Sequence, residues 1–315
     1  MLSRTASNLF WLGRHMERAE TASRLFEVGS RMTLLPNTVQ GYQNEWQSLL
    51  NASGVADVFT TWYEEVNEEN MEKFMIFDRN NPSSVAACFF NARESGRIVR
   101  TALTSRVWDS LNVAWQEMRA MRPGQEDAAD LADFVGHHAN TVSGAIDGTQ
   151  LRNDGFHFMK LGYALERADS TARLLDVKYF VLLPRVEFIG SELDNYQWQV
   201  ILRALSAHRA FHWAYGGDIN ASRVAHFLIL NNEAPRALIT SVNEALTQLE
   251  SLVCRYGEGV PSSARDRTRA LAVRMNQLDI EEIFDEGLHE FLTDFIIEIS
   301  QIASCVQADY FHGRG

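Results

Sequence analysis

The chain has 315 residues, 46% of them hydrophobic and 22% charged, enough apolar side chain for a sizeable core and too much for a disordered chain. Its 19 glycines and 3 cysteines exclude collagen-like and disulfide-scaffold classes. With 29 Lys and Arg against 41 Asp and Glu the net charge is −12, which disfavours nucleic acid and anionic lipid, since both attract concentrated basic charge.

In chain order, the N-terminal stretch carries Arg4, Arg14 and Arg18 without an unbroken apolar run, unlike a signal peptide. Apolar positions recur every three or four residues over 9–28, 156–177, 222–230, 237–254 and 288–310, the period of a helix. Alternating runs are scarce, and the most strand-like piece, Lys178 to Leu183, is too short to build a sheet. Six prolines, Pro36, Pro82, Pro123, Pro184, Pro235 and Pro261, mark most of the breaks, with Gly216-Gly217-Asp218 and Gly257-Glu258-Gly259 as turns. Asn81-Pro82-Ser83-Ser84 and Pro261-Ser262-Ser263 read as helix starts. The class is all-α. No apolar run approaches the ~18 residues of a membrane span. Cys88, Cys254 and Cys305 form no CxxC pair, and the expected setting is cytoplasmic.

The chain repeats itself. Phe10 to Glu20 aligns with Met159 to Asp169, carrying Leu-Gly, Glu-Arg-Ala, a following acid and then Arg24/Arg173. Leu34-Leu35-Pro36 matches Leu182-Leu183-Pro184, Trp46-Gln47 matches Trp198-Gln199, and Leu50/Leu202, Phe59/Phe211 and Tyr63/Tyr215 follow in register. Phe74 and Pro82 match Phe227 and Pro235. Four matches in order describe a tandem duplication. A repeated helical unit cannot bury its apolar face alone. The expectation is therefore one body over 1–315, a helical bundle of two pseudo-twofold-related repeats at about 1–120 and 150–315, bridged by 121–149. The spacing from Pro82 to Pro123 exceeds that from Pro235 to Pro261, which predicts a longer third helix in the first repeat.

On a helix, Leu12, Met16, Ala19 and Phe26 share one stripe, as do Leu161, Leu165, Ala168 and Leu175. A second line holds Gly13, Glu17, Glu20 and Arg24, matched by Gly162, Glu166, Asp169 and Arg173. Arg18 and Arg167 lie about 100° round from their neighbouring glutamates, so each glutamate needs a partner elsewhere. Glu20 with Arg24 and Asp169 with Arg173 have i,i+4 spacing. Two readings follow. In one, Glu17 reaches Arg167 and Arg18 reaches Glu166, a buried network that fixes how the halves dock. In the other, the helices line a polar pocket in which arginines grip a carboxylate or phosphate.

Leu12-Gly13-Arg14-His15-Met16-Glu17-Arg18-Ala19-Glu20, its echo Leu161-Gly162-Tyr163-Ala164-Leu165-Glu166-Arg167-Ala168-Asp169, and Thr171-Ala172-Arg173-Leu174-Leu175-Asp176-Val177 resemble the bacterial alpha-E family, an all-helical domain named for its Glu-Arg motif. Asn80 to Ser84, Ala92-Arg93-Glu94, Trp108 and Asn112 extend the resemblance over nearly the whole chain. The family's first Pro tract often reads Asn-Pro-Arg-Ser; here Ser83 stands in place of that arginine, while Arg236 follows Pro235. The resemblance implies company rather than chemistry. Alpha-E proteins are typically encoded beside, or fused to, an ATP-grasp-type ligase of the amidoligase kind, often near a transglutaminase-like protein. ATP-grasp enzymes activate a carboxylate as an acyl phosphate for attack by an amine. This chain would then be an accessory subunit presenting a peptide or amino-acid substrate.

Other motifs point to less. No phosphate-cradling Gly-rich loop with Lys-Ser/Thr occurs. Glu286-Gly287-Leu288-His289 is a single Glu-x-x-His where a di-metal bundle needs two. His208 and His212 share a helix face without further ligands, His137 and His138 diverge, and Asp127, Asp130 and Asp133 form a solvated face. Cys88 and the repeated Trp46 and Trp198 read as core. No metal or cofactor is expected. The tail from Gln307 reads as a docking segment frayed beyond Phe311. The leading expectation is the ligase partner; the alternatives are an enzyme using Glu17 or Glu166 as base with Arg18 or Arg167 as anion clamp, and a self-assembling homo-oligomeric scaffold.

Overall fold

The computed structural model describes residues 1–33, 45–182, 192–257 and 262–311. Every regular element among these residues is helical. In chain order they are α1 (Ser3–Thr33), α2 (Glu45–Ser53), α3 (Ala56–Trp62), α4 (Glu68–Glu72) with a π-helical turn Lys73–Phe77, α5 (Val85–Ile98), α6 (Ser105–Ala120) and α7 (Ala128–Thr149). Then follow α8 (Asp154–Leu182), α9 (Glu192–Ala204), α10 (His208–Tyr215), α11 (Ala221–Ile229), α12 (Leu238–Tyr256), α13 (Ser263–Gln277), α14 (Ile280–Glu286) and α15 (Leu288–Val306), ending in a π-helical turn Gln307–Phe311.

Side-chain caps start several of these helices. The Ser84 hydroxyl accepts from Ala87 N–H at 3.1 Å, Asp127 accepts from Ala129 and Asp130 N–H at 2.9 Å, and Asp279 with Glu282 completes a capping box on α14. Thus Asp127 is a cap, while Asp130 and Asp133 face solvent.

Helices α1 and α8 form the centre. Their 31 and 29 residues make rods of about 45 Å at 1.5 Å per residue. Both stripes expected on α1 are buried: Leu12, Met16, Ala19 and Phe26 on one, and Gly13, Glu17 and Glu20 on the other. Helix α5 packs on α1, and α6 on α5; helix α12 packs on α8, and α13 on α12. Helix α7 covers α1 and α6, while α15 covers α8 and α13.

Two glycines set the central crossing. A Cβ on Gly13 would lie 2.3 Å from the Met159 carbonyl oxygen, and one on Gly162 would lie 2.1 Å from that of Phe10. Backbone meets backbone there, and only glycine permits it. Farther along α1, the Trp46 ring lies where a Gly29 Cβ would sit and stacks on Phe26 at 5.5 Å.

Three aromatic residues matched in the sequence form the same cluster twice. Phe59, Tyr63 and Phe74 have ring centroids 5.0, 5.1 and 5.8 Å apart; Phe211, Tyr215 and Phe227 give 5.1, 5.6 and 5.8 Å. The matched prolines Pro36 and Pro184 lie outside the described residues, as does Pro261.

The strand-like run from Lys178, read as too short to build a sheet, is helix up to Leu182, because it continues α8; Leu183 lies outside the described residues. Two expectations need correction. The third helix of the first half is the shorter one, 14 residues in α5 against 19 in α12. The wider proline spacing holds an additional helix, α6. Gln307–Phe311 does not form a free docking segment. Phe311 packs on Phe10 and Phe158, Tyr310 is buried, and Asp309 accepts from Ser263 Oγ and Ala264 N–H. The remainder of the tail lies outside the described residues.

The crossing predicts the sign of one substitution. Gly162→Ala should lower stability by about 1–3 kcal/mol through overpacking, although alanine in a helix interior otherwise gains about 1 kcal/mol over glycine. Urea denaturation measures it; an unchanged or raised midpoint would place the helices farther apart than described.

Candidate functional site

The crossing places the two Glu-Arg motifs side by side. Glu17 and Glu166 are 0% and 2% exposed, a position that carboxylates occupy only when paired. Arg167 grips Glu17 with Nε–Oε1 at 3.2 Å and Nη2–Oε2 at 2.7 Å. Arg18 grips Glu166 with Nε–Oε1 at 2.5 Å and Nη2–Oε2 at 3.1 Å. The exchange is reciprocal, each motif's arginine serving the other's glutamate. Neither arginine pairs with its own sequence neighbour.

Each glutamate has a second arginine. Arg14 Nε lies 2.5 Å from Glu166 Oε2, and Arg236 Nη1 lies 2.8 Å from Glu17 Oε1. Arg236 Nη2 also reaches Glu20 Oε2 at 2.8 Å. The i,i+4 pairs form as their spacing predicts. Arg24 donates to Glu20, and also to the Ala204 carbonyl at the C-terminus of α9. Arg173 holds Asp169 with bonds of 2.8 and 3.2 Å. All eight residues read from the sequence, Glu17, Arg18, Glu20, Arg24, Glu166, Arg167, Asp169 and Arg173, belong to this assembly. Sequence reasoning missed Arg14 and Arg236 as members. The signal for Arg14 was its i,i+4 spacing to Arg18; Arg236 enters from the start of α12, a contact that no local spacing announces.

Burial pushes the Glu17 carboxyl up, but Arg167 and Arg236 more than offset it and hold it at about 2. The same opposition, with Arg14 and Arg18, leaves Glu166 at about 2. Glu166 in turn raises the Arg18 guanidinium, and Glu17 that of Arg167. A general base works best with a pKa near the operating pH. Carboxylates this acidic are ionised and weakly basic, so the structure supplies Glu17 and Glu166 as anchors rather than as bases. Burial, assisted by Arg18, lowers the neighbouring His15 to about 4 and keeps it neutral.

The family model described as "a predicted alpha-helical domain with a conserved ER motif" matches residues 1–311. This chain belongs to the Alpha-E family. The reciprocal Glu17–Arg167 and Glu166–Arg18 pairs are what its ER motif builds here. Among curated proteins, Uncharacterized protein Mb2597 of Mycobacterium bovis is 22% identical over 94% of this chain. Uncharacterized protein Rv2567 of Mycobacterium tuberculosis is likewise 22% identical over 94% of it. The Alpha-E chain spans 35% of the length of these relatives. No solved structure matches it.

Beside the Glu166 side of the network opens a cleft of about 250 Å³. It is lined by the charged and polar Arg18, Glu166, Asp169, Ser170, Arg173, Thr21, Asn81 and Ser83 and by the apolar Ala22, Leu25, Val55 and Met75. Both sequence readings thus have a counterpart: an interlocked network, and a polar cleft against one side of it.

The other sequence candidates lie apart. The Cys88 thiol is buried, pushed up to about 12 by that burial, and donates to the Pro82 carbonyl at 3.7 Å. His208 and His212 have Nε2 atoms 3.3 Å apart, and no group of three or more metal-binding side chains occurs among the described residues. His289 pairs with Asp176 at 2.6 Å, and His138 with Glu117 at 3.1 Å. No helix among the described residues is long and apolar enough to cross a membrane.

The network predicts a pH signature. A carboxylate whose folded pKa lies below its ordinary 4.5 contributes full stability above that value and loses it as pH falls toward about 2. Glu17→Gln leaves two arginines facing a neutral amide and should cost about 3–5 kcal/mol at neutral pH. Urea midpoints should show that gap narrowing below pH 4.5. A gap that stays constant as the wild type is acidified would contradict the pairing. Exchanging only the Glu17 and Arg167 charges should not restore stability, since Arg236 would then face a cation.

Proposed function

We propose that this Alpha-E chain is an accessory, substrate-presenting partner of an ATP-grasp amide-bond-forming enzyme, with its Glu-Arg network as keystone. One observation carries the reading. The residues best placed to be catalytic, Glu17 and Glu166, are each bound by two arginines that suppress their basicity. A chain whose central carboxylates serve as anchors is suited to holding shape and offering a surface, and the covalent step falls to a partner. In the curated relatives the matching stretch is about a third of a longer chain, an arrangement suited to a domain that works beside another.

We also infer that the chain is one helical unit written twice about an axis between Gly13 and Gly162. The reciprocal pairs, the twin aromatic clusters and the parallel packing of α5 on α1 and α12 on α8 support this reading. The unit boundary then falls after α7, whose packing on α1 and α6 parallels that of α15 on α8 and α13. In that case 121–149 closes the first unit rather than bridging the two.

Co-purification with an ATP-grasp protein of the same genome tests the partnership. The expected result is a stable complex and ligase turnover that depends on this chain. Full ligase activity by the ATP-grasp protein alone, with no complex, would overturn the proposal.

A further inference from the structure

Ser83 and Arg236 occupy the same place in their local structures. Each precedes the residue that caps a helix, Ser84 before α5 and Ala237 before α12, and each follows a matched proline. Arg236 reaches across to Glu17 and Glu20 on α1. Ser83 lines the cleft containing Glu166 and Asp169 of α8, the residues matched to Glu17 and Glu20. A serine thus leaves open the space that a guanidinium fills on the other side.

The groups left over in that space are donors. Arg18 spends Nε and Nη2 on Glu166, and Arg173 spends Nε and Nη2 on Asp169. Among the described residues, neither Nη1 has a hydrogen-bond partner, nor do the Ser83 and Ser170 hydroxyls. Gly54, at φ +71, would bring a Cβ within 3.0 Å of Arg173 Nη1, so the glycine keeps that nitrogen accessible. Arg14 and Arg18 pair with Glu166 and Arg173 pairs with Asp169, with Asp176 also acting on Arg173. Glu166 and Asp169 are turned toward their own arginines. The cleft is smaller than the ~300–1,000 Å³ of pockets for drug-sized ligands.

We propose that the cleft beside Ser83 binds the oxyanion group of a compact ligand, a carboxylate or a phosphoryl group, through Arg18, Arg173, Ser83 and Ser170. Guanidinium forks suit planar or tetrahedral oxyanions. The apolar lining residues Ala22, Leu25, Val55 and Met75 suit the ligand's carbon portion. The inference deepens the substrate-presenting reading by giving the substrate a seat, and rests on that reading for its biological role.

Calorimetric titration of the chain alone with succinate, and separately with inorganic phosphate, at ionic strength held constant by sodium chloride, tests it. Saturable binding of either probe is expected; succinate alone assigns a carboxylate, and phosphate alone a phosphoryl group. Ser83→Met fills the cleft without adding charge and should raise Kd at least tenfold. Arg173→Met, which removes the Nη1 donor, should weaken binding as well, so the test survives if either variant fails to fold. No saturable binding to the wild type, or undiminished binding by the folded variants, overturns the proposal. Complex formation with the ATP-grasp partner in the absence of probe binding would discard the cleft and leave the partnership standing.

Discussion

Glu17 and Glu166 are carboxylates with almost no contact with water, and the arrangement of α1 and α8 follows from what that costs. An ion moved from water into a protein interior loses several kcal/mol of hydration, recovered only by close pairing and full hydrogen bonding. Each glutamate meets that demand with two guanidiniums: Glu17 takes Arg167 from the facing central helix and Arg236 from the start of α12, while Glu166 takes both Arg14 and Arg18 from α1. The helices must therefore stand close enough for the guanidiniums to reach across, and Gly13 and Gly162 allow that approach. Shape and charge are satisfied at the same crossing. A buried network of this kind adds little net stability over an apolar core, but it tolerates few alternative dockings.

Much of this was legible in the sequence because helix geometry is local. The 3.6-residue period placed Arg18 and Arg167 away from their neighbouring glutamates, and the repeat supplied the only comparable partners. The glycine beside each motif marked the close approach. The i,i+4 pairs Glu20–Arg24 and Asp169–Arg173 needed nothing beyond spacing. What was not legible depends on distant packing. Arg236 pairs with a residue 219 positions away because the start of α12 docks there. The extent of α8 through Lys178 was obscured by a run of strand-like residues, whose preference gives way when the helix is packed along its length. Both stripes of α1 are buried, so its periodicity revealed a helix without revealing that it is central.

The two sides of the network meet the same demand with different residues. On one, Arg236 serves Glu17 and Glu20, and Tyr163 stands where the matching position holds Arg14. The buried Tyr163 hydroxyl has no hydrogen-bond partner among the described residues, and burial raises its pKa. On the other side, Arg14 takes the second place at Glu166, and Ser83 leaves a cleft. Supplying the second guanidinium from within α1 releases the residue before α5 from that duty. With one side of the network closed by Arg236 and the other left as a cleft, the proposed reading has the first hold the fold and the second meet a ligand.

The most direct test of this account is a double-mutant cycle on Arg18→Met and Glu166→Gln, read by urea unfolding at neutral pH. Contacting residues in a buried charged network couple by about 0.5–3 kcal/mol. The interlocked crossing predicts a coupling in the upper half of that range between positions 148 residues apart. Additive effects of the two substitutions would mean that Arg18 and Glu166 do not hold one another, and would contradict the crossing as the basis of the fold.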